Sequence, residues 1–328
     1  MAKTSAMHWH TARGALDAIL LCAAGSLGAQ NYQAGPVRFL VPFPPGGGID
    51  TMGRLFGAKL SEALGKPVIV ENRAGANGMI GSRFVARAPK DGYMLLVNGV
   101  NFVTTPSLFK NAEYDPLKDF DPVSLLALAP NILVVHPSLP VKNVREFIAL
   151  AKAKPGAVLF AGSDSGSTPH LAGELFKTLT NTSMVHVPYR GTGPAITAIL
   201  SGEVSTMFMP ALTALPLIQS GRVRALGVTS LERLPALPEL PTVSESGLKG
   251  YQSSQWYGVL APVGTPPDIL NILNSHAAKI MQSADMKERM KMSGSVAVGS
   301  TREVFAKHLQ TEFTKWDKVI KASGATVD

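Results

Sequence analysis

Cysteine is almost missing from this chain: Cys22 is the only one in 328 residues, and it lies within an N-terminal apolar run. That excludes a disulfide framework and a cysteine-based metal site. Leu21 stands before it where lipid attachment favours a small residue, so a lipid anchor is not expected. Charge is also scarce. Charged residues make up 16% of the chain, too few for a coiled coil, and the 45% hydrophobic content is too high for a disordered protein. The net charge of +8 is spread without a run of basic residues and with few aromatics between them. That speaks against nucleic acid as a partner, whereas a mild positive field suits a small anion. Beyond the N-terminus no stretch approaches the ~18 uninterrupted apolar residues of a membrane span.

Cofactor fingerprints are missing too. Gly48 is followed by Ile49, Asp50 and Thr51 rather than by Gly-Lys-Ser/Thr, so no phosphate-binding Walker loop is present. The Gly-x-Gly-x-x-Gly spacing of dinucleotide sites cannot be placed across the same turn. The seven histidines are scattered without a His-x-x-x-His pair, so no metal is expected, and no cofactor. No period of 20–50 residues suggests a solenoid.

What is present begins with an export pattern. Lys3 and Arg13 precede the apolar stretch 15–29, which ends in Leu27-Gly28-Ala29 and is interrupted by Asp17. Residues 1–29 read as a signal peptide and the mature chain as a periplasmic protein without cysteine. From there strand and helix patterns alternate. Strands are expected at 37–41, 68–70, 93–97, 125–129, 132–135, 158–161, 185–187, 204–208, 225–229 and 257–261. Helices are expected at 51–64, 78–88, 144–153, 169–180, 194–201, 267–282 and 301–321. Alternation of this kind means mainly parallel sheets covered on both faces, hence an α/β protein of two domains. The proline-rich stretch 234–241 suits a crossover between them.

Three strand-to-helix junctions share one chemistry. In the first, Phe43-Pro44-Pro45-Gly46-Gly47-Gly48 opens onto a helix, and Asp50 reads as its N-cap rather than as a catalytic acid. Unpaired N–H groups and the helix dipole there can hold a carboxylate or phosphate without a charged side chain. The second, Gly162-Ser163-Asp164-Ser165-Gly166-Ser167-Thr168-Pro169-His170, offers hydroxyls and N–H groups to the same kind of anion. It is not a nucleophile elbow, because Asp164 occupies the central place. His170 reads as a structural hydrogen-bond partner, with a base for Ser165 or Ser167 as the alternative. In the third, Tyr189-Arg190-Gly191-Thr192, Tyr189 could line a pocket and Arg190 reads as a surface ion pair. No nucleophile–base pair stands out, so the pattern is that of a binding cleft with no catalytic residues. A small ester hydrolase using Ser165 or Ser167 with His170 is the competing reading.

Read in order, several motifs resemble one family: Val41-Pro42-Phe43-Pro44-Pro45-Gly46-Gly47, Glu71-Asn72-Arg73-Ala74-Gly75-Ala76, Asp91-Gly92-Tyr93, Gly166-Ser167-Thr168-Pro169-His170, Val187-Pro188-Tyr189-Arg190-Gly191 and Trp256-Tyr257-Gly258 through Gly264-Thr265-Pro266. They are similar to the extracytoplasmic solute receptors of tripartite tricarboxylate transporters, also called Bug receptors. The resemblance implies a two-lobed periplasmic binding protein of the type II kind, each lobe a mainly parallel sheet flanked by helices, with two crossover segments. It places 30–130 and 233–328 in one lobe and 131–232 in the other. It also implies a monomer that closes on a small carboxylate and is read by membrane transporter subunits. Carried over, the ligand-binding positions are Phe43, Pro45, Gly46 and Gly47 from one lobe. From the other come Ser163, Ser165, Gly166, Ser167, Thr168 and His170, with Tyr189, Arg190, Gly191 and Thr192; Asn101 joins from the loop after the third strand. Two departures stand out: Val204-Ser205 replaces a Val-Asp of many members, and Met209-Pro210 replaces Asp and Asn. Fewer acids disfavour an ammonium group, hence amino acids. Met209 and Tyr189 are then expected to touch an apolar or aromatic body, in keeping with an aromatic or dicarboxylic acid.

Overall fold

The computed structural model describes residues 35–162, 166–189 and 191–324. The expected signal peptide, Ser163, Ser165 and Arg190 therefore lie outside the described residues. Five short strands start the chain's sheets: β1 (Val37–Val41), β2 (Val68–Asn72) and β3 (Met94–Asn98) in one half, β5 (Leu159–Gly162) and β6 (Val185–Pro188) in the other. Helices α1 (Gly48–Leu64), α2 (Met79–Ala86) and α3 (Asn101–Leu108) follow β1, β2 and β3 in turn. Between the two sets runs one long strand, β4 (Phe120–Val135). Helix α4 (Val144–Ala153) follows β4, and α5 (Thr168–Thr180) and α6 (Thr192–Ser201) follow β5 and β6. The second half continues with β7 (Thr206–Pro210), α7 (Ala211–Gln219) and β8 (Arg224–Val228). The chain ends with β9 (Ser254–Pro262), α8 (Pro267–Gln282), α9 (Ala284–Met292), β10 (Val296–Ala297) and α10 (Arg302–Ser323). No helix among the described residues is long and apolar enough to cross a membrane.

Strand order is β2-β1-β3-β9-β4-β7-β5-β6, with β8 and β10 also on β4. β4 belongs to both lobes. Its first part pairs with β9 as far as Pro130↔Ser254, and its second pairs with β7 and β8 from Asn131↔Pro210 and Ile132↔Val228 onward. The sequence pattern suggested two strands here, broken at Pro130. A single strand survives because Pro130 falls where one set of partners ends and the other begins, a place where a missing N–H is tolerated.

This register decides where a ligand can go. β1, β2 and β3 are mutually parallel, and β5, β6 and β7 are mutually parallel. β9 runs antiparallel to both β3 and β4, and β7 antiparallel to β4. The carboxyl ends of both parallel sets therefore converge from opposite sides on Pro130 and Asn131. Open α/β sheets bind ligands at such ends.

Thr229 ties the two crossings together. Its N–H and hydroxyl bond the Asn131 carbonyl at 3.0 and 2.9 Å, its Oγ1 accepts from the Asn131 N–H at 2.8 Å, and its carbonyl accepts from the Ser253 N–H at 2.9 Å. The return to the first lobe comes at Ser253–Ser254. Residues 233–253, assigned to the first lobe from sequence, hydrogen-bond instead to the second: Val243 N–H to the Val228 carbonyl at 2.8 Å and the Tyr251 hydroxyl to the Ala172 carbonyl at 2.9 Å. Behind the crossings one apolar core runs through both lobes, from Phe102 and Trp256 to Tyr251, Phe176 and Phe208. Helix α10 covers it, packing on α3 and on α5.

Three helices are present that the sequence pattern did not predict: α3, α7 and α9. Pro106 and Pro216 lie inside the first two, where proline normally ends a helix. In α3 the carbonyl that Pro106 leaves free, that of Phe102, accepts instead from the Tyr114 hydroxyl at 2.8 Å.

Candidate functional site

The first jaw is the β1–α1 loop. Its N-cap is Gly47, in extended conformation, so Asp50 is the third helical residue and not the cap expected from sequence. From there its carboxylate reaches back past the cap to the Gly46 N–H at 2.9 Å. It also accepts from Arg54 Nε at 3.0 Å and Asn72 Nδ2 at 2.8 Å, and the same Asn72 amide bonds the Phe43 carbonyl at 3.0 Å. Asp50 is 3% exposed, and the Arg54 guanidinium holds its pKa down at about 2. The loop is therefore pinned by a buried charge that is fully partnered within the protein. Gly46, Gly47 and Gly48 stay exposed, and nothing lies within 4 Å of where a Cβ would stand on Gly46. The first N–H groups of α1 have no partner within the helix, as in any α-helix. Phe43 is half-buried against Gly78, at the start of α2.

Beside it, residues 75–78 all have positive φ, including the non-glycines Ala76 (45°) and Asn77 (51°). Left-handed non-glycine residues are costly and persist where neighbours hold them. Asn77 is so held: it accepts from Asn101 Nδ2 at 2.7 Å, donates to Thr105 Oγ1 at 3.2 Å, and its carbonyl accepts from Thr105 at 3.0 Å. Asn101 thus braces a strained turn, with its amide nitrogen committed.

The second jaw is built differently. Gly166 has φ +81°, and its N–H bonds His170 Nδ1 at 3.0 Å. Ser167 is the N-cap of α5, its Oγ accepting from the His170 N–H at 3.4 Å; Thr168 and Pro169 begin the helix. The His170 ring is 5% exposed, stacks on His186 at 4.0 Å between centroids, and has Nε2 3.8 Å from Glu174. Burial, with Lys177 nearby, lowers its pKa to about 4. A neutral ring whose Nδ1 accepts from Gly166 carries its proton on Nε2. Its ring lone pair is thereby engaged by the Gly166 N–H. Gly191 caps α6 with φ +95°, and Thr192 begins that helix.

Two predicted ligand contacts have protein partners of their own. Met209 is 0% exposed in the second-lobe core, paired with Ile132 on β4, because β7 is a central strand covered on both sides. The Tyr189 hydroxyl donates to Glu203 at 2.8 Å, beyond the far end of α6, and burial together with Glu203 pushes its pKa up to about 12.

Between the jaws stand two residues absent from the predicted contacts. Thr168 Oγ1 donates to Gln255 Oε1 at 3.0 Å, and a Cβ on Gly99, in the β3–α3 loop, would lie 2.3 Å from Gln255 Nε2. The Tyr257 hydroxyl lies 2.6 Å from a Cβ built on Gly48. Both are on β9, two apart, and therefore on one face. In the sequence Tyr257 lies within a family motif, whereas Gln255 carries no signal of its own. The jaws also touch directly: a Cβ on Gly166 would lie 2.7 Å from Leu108 at the end of α3. A groove of about 410 Å³ lies elsewhere, lined by Arg73, Phe84 and Met94 among others; Met94 is the first residue of β3, at the end away from the jaws.

Comparison with known proteins identifies the family. The profile of the tripartite tricarboxylate transporter family receptor matches residues 52–325. The chain is 36% identical to the protein BugT of Bordetella pertussis, over 92% of this chain and 93% of that one. Among solved structures it is similar to R. palustris Rpa4515 with adipate, at 35% identity and TM-score 0.75, covering 89% of this chain and 98% of the other. It is also similar to MatC of Rhodopseudomonas palustris with bound malate, at 32% identity and TM-score 0.72, covering 88% and 99%.

Proposed function

Because this chain belongs to the tripartite tricarboxylate transporter receptor family, we propose that it captures a small carboxylate outside the cytoplasm and presents it to membrane transporter subunits. The observation that carries this reading is the convergence of two parallel strand sets, each followed by helix N-termini, on the middle of β4. Such ends attract a carboxylate through N–H groups and dipoles and need no cofactor. Rpa4515 was solved with adipate and MatC with malate, which favours an acid with two carboxylates, one for each jaw. The site as we read it comprises the exposed backbone of Gly46 to Gly48, the loop from Ser163 to Thr168, and Arg190, Gly191 and Thr192. His170 and Asn101 support it from behind. Capture and release involve no bond-making. The lobes turn about Asn131, Thr229 and Ser253, and ligand contacts to both jaws favour the closed state.

Thermal melting against adipate, malate, an aromatic acid and amino acids tests this. A ligand present at 100 times its Kd stabilises by about 2.7 kcal/mol. Stabilisation by one or more carboxylates, with the acid recovered unchanged, is expected. Stabilisation by amino acids alone, or turnover of a small ester, overturns the reading.

A further inference from the structure

Helix N-termini hold a carboxylate whatever is attached to it, so they give affinity with little discrimination. Selection needs side chains between the jaws. On β9, Trp256 points into the shared core at 0% exposure, while Gln255 and Tyr257 on the opposite face are half-buried. Gln255 touches both lobes. Its oxygen is occupied by Thr168, the first residue of α5, which leaves the amide nitrogen, lying against Gly99, as a donor. The Tyr257 hydroxyl lies against Gly48, the first residue of α1, and donates to no atom among the described residues. Its pKa, raised by burial to about 12, keeps the proton on the oxygen, so it remains a neutral donor. Two neutral donors thus stand among the N-termini of α1, α3 and α5, where any residue larger than glycine at 48 or 99 would displace them.

We propose that Tyr257 and Gln255 determine which acid this cleft accepts: Tyr257 donates to the carboxylate seated at the start of α1, and Gln255 presents its amide N–H to the part of the ligand between the jaws. This rests on the carboxylate-receptor reading above. Tyr257 is a contact residue. Gln255 also acts as a positioning residue, since it holds Thr168 and the β3–α3 loop at a fixed separation.

The experiment is calorimetric titration of the full mature chain and two variants, Tyr257→Phe and Gln255→Glu, with butyrate, adipate and malate. Tyr257→Phe should weaken every acid that binds by about tenfold, the loss of one hydrogen bond to a charged group, with the ligand-free melting temperature unchanged. Gln255→Glu keeps the acceptor for Thr168 but sets a negative charge beside the ligand. It should weaken the dianions adipate and malate at least about tenfold more than the monoanion butyrate. A purely structural role for Gln255 would lower all three equally. Binding by the wild type, with both variants matching its affinities, overturns this inference and leaves the receptor reading intact. No binding of any acid by the wild type overturns both.

Discussion

The two jaws solve one problem, the fixing of an open loop, with opposite electrostatics. In the first lobe a buried carboxylate, Asp50, gathers Gly46, Asn72 and Arg54 around itself and stays ionised. In the second a buried neutral imidazole, His170, holds Gly166, stacked on a second imidazole, that of His186. An acid beside the anion site we propose is tolerable because its charge is spent on Arg54 and on donors below the loop. A neutral ring needs no such compensation but depends on staying unprotonated. The jaws should therefore fail in different ways.

Asp50→Ala should have the largest effect. It leaves the Gly46 N–H, the Asn72 amide and the Arg54 guanidinium without their shared acceptor, at a cost of about 3 kcal/mol in urea unfolding. Ligand affinity should fall with it, because the first loop loses its shape. An undiminished affinity would mean that the first jaw is not the seat of the anion.

Acid should loosen the second jaw first. Unfolded, His170 and His186 take up protons below pH 6.5, whereas folded they resist until about pH 4. Their stabilising effect is complete above pH 6.5 and is lost as pH falls toward 4. Asp50, with a folded pKa of about 2 against a usual 3.8, gives way only below pH 3.8. Between pH 7 and 5 the wild type should lose about 2 kcal/mol more stability than His170→Gln. Equal losses in the two proteins would show that His170 is not the sensitive group.

Much of this architecture was legible because it rests on local signals. The apolar runs of β1, β3 and β5, the glycine-rich junctions and the amphipathic α1, α5 and α10 all appear in the sequence in register with the structure. What escaped depends on partners distant in the chain. Helix α3 carries Pro106 inside it and stands because Tyr114, distant in the chain, supplies a hydroxyl to the freed carbonyl. Asp50 looked like a cap because its acceptor role depends on Asn72, 22 residues away. β4 looked broken at Pro130 because only the pairing with β9 and β7 shows that a proline is harmless there. Gln255 could not be recognised without Gly99 and Thr168 beside it. Tyr189 and Met209 carried a family expectation about the cleft, but their side-chain directions are set by Glu203 and by the second-lobe core.

Those two residues give the smaller effects, and they sharpen the contrast between a jaw with side chains beneath it and one whose larger side chains turn away. Met209→Leu conserves volume in a fully buried site, so it should cost at most about 1 kcal/mol and leave the preference among acids unchanged. A changed preference would put Met209 at the ligand after all.

Tyr189→Phe should matter least. It removes one hydrogen bond, to Glu203 at 2.8 Å, from a half-buried ring, a loss of about 0.5 kcal/mol. The ring itself still packs against the second-lobe core, so the Gly191 cap and the Thr192 helix start should keep their positions. Affinity for whichever acid binds should then stay within about twofold of the wild type, a difference near the scatter of surface substitutions. A loss of tenfold or more in titration would show that this hydroxyl leaves Glu203 for the ligand when the lobes close, and the second jaw would then contribute a side-chain donor as well as backbone.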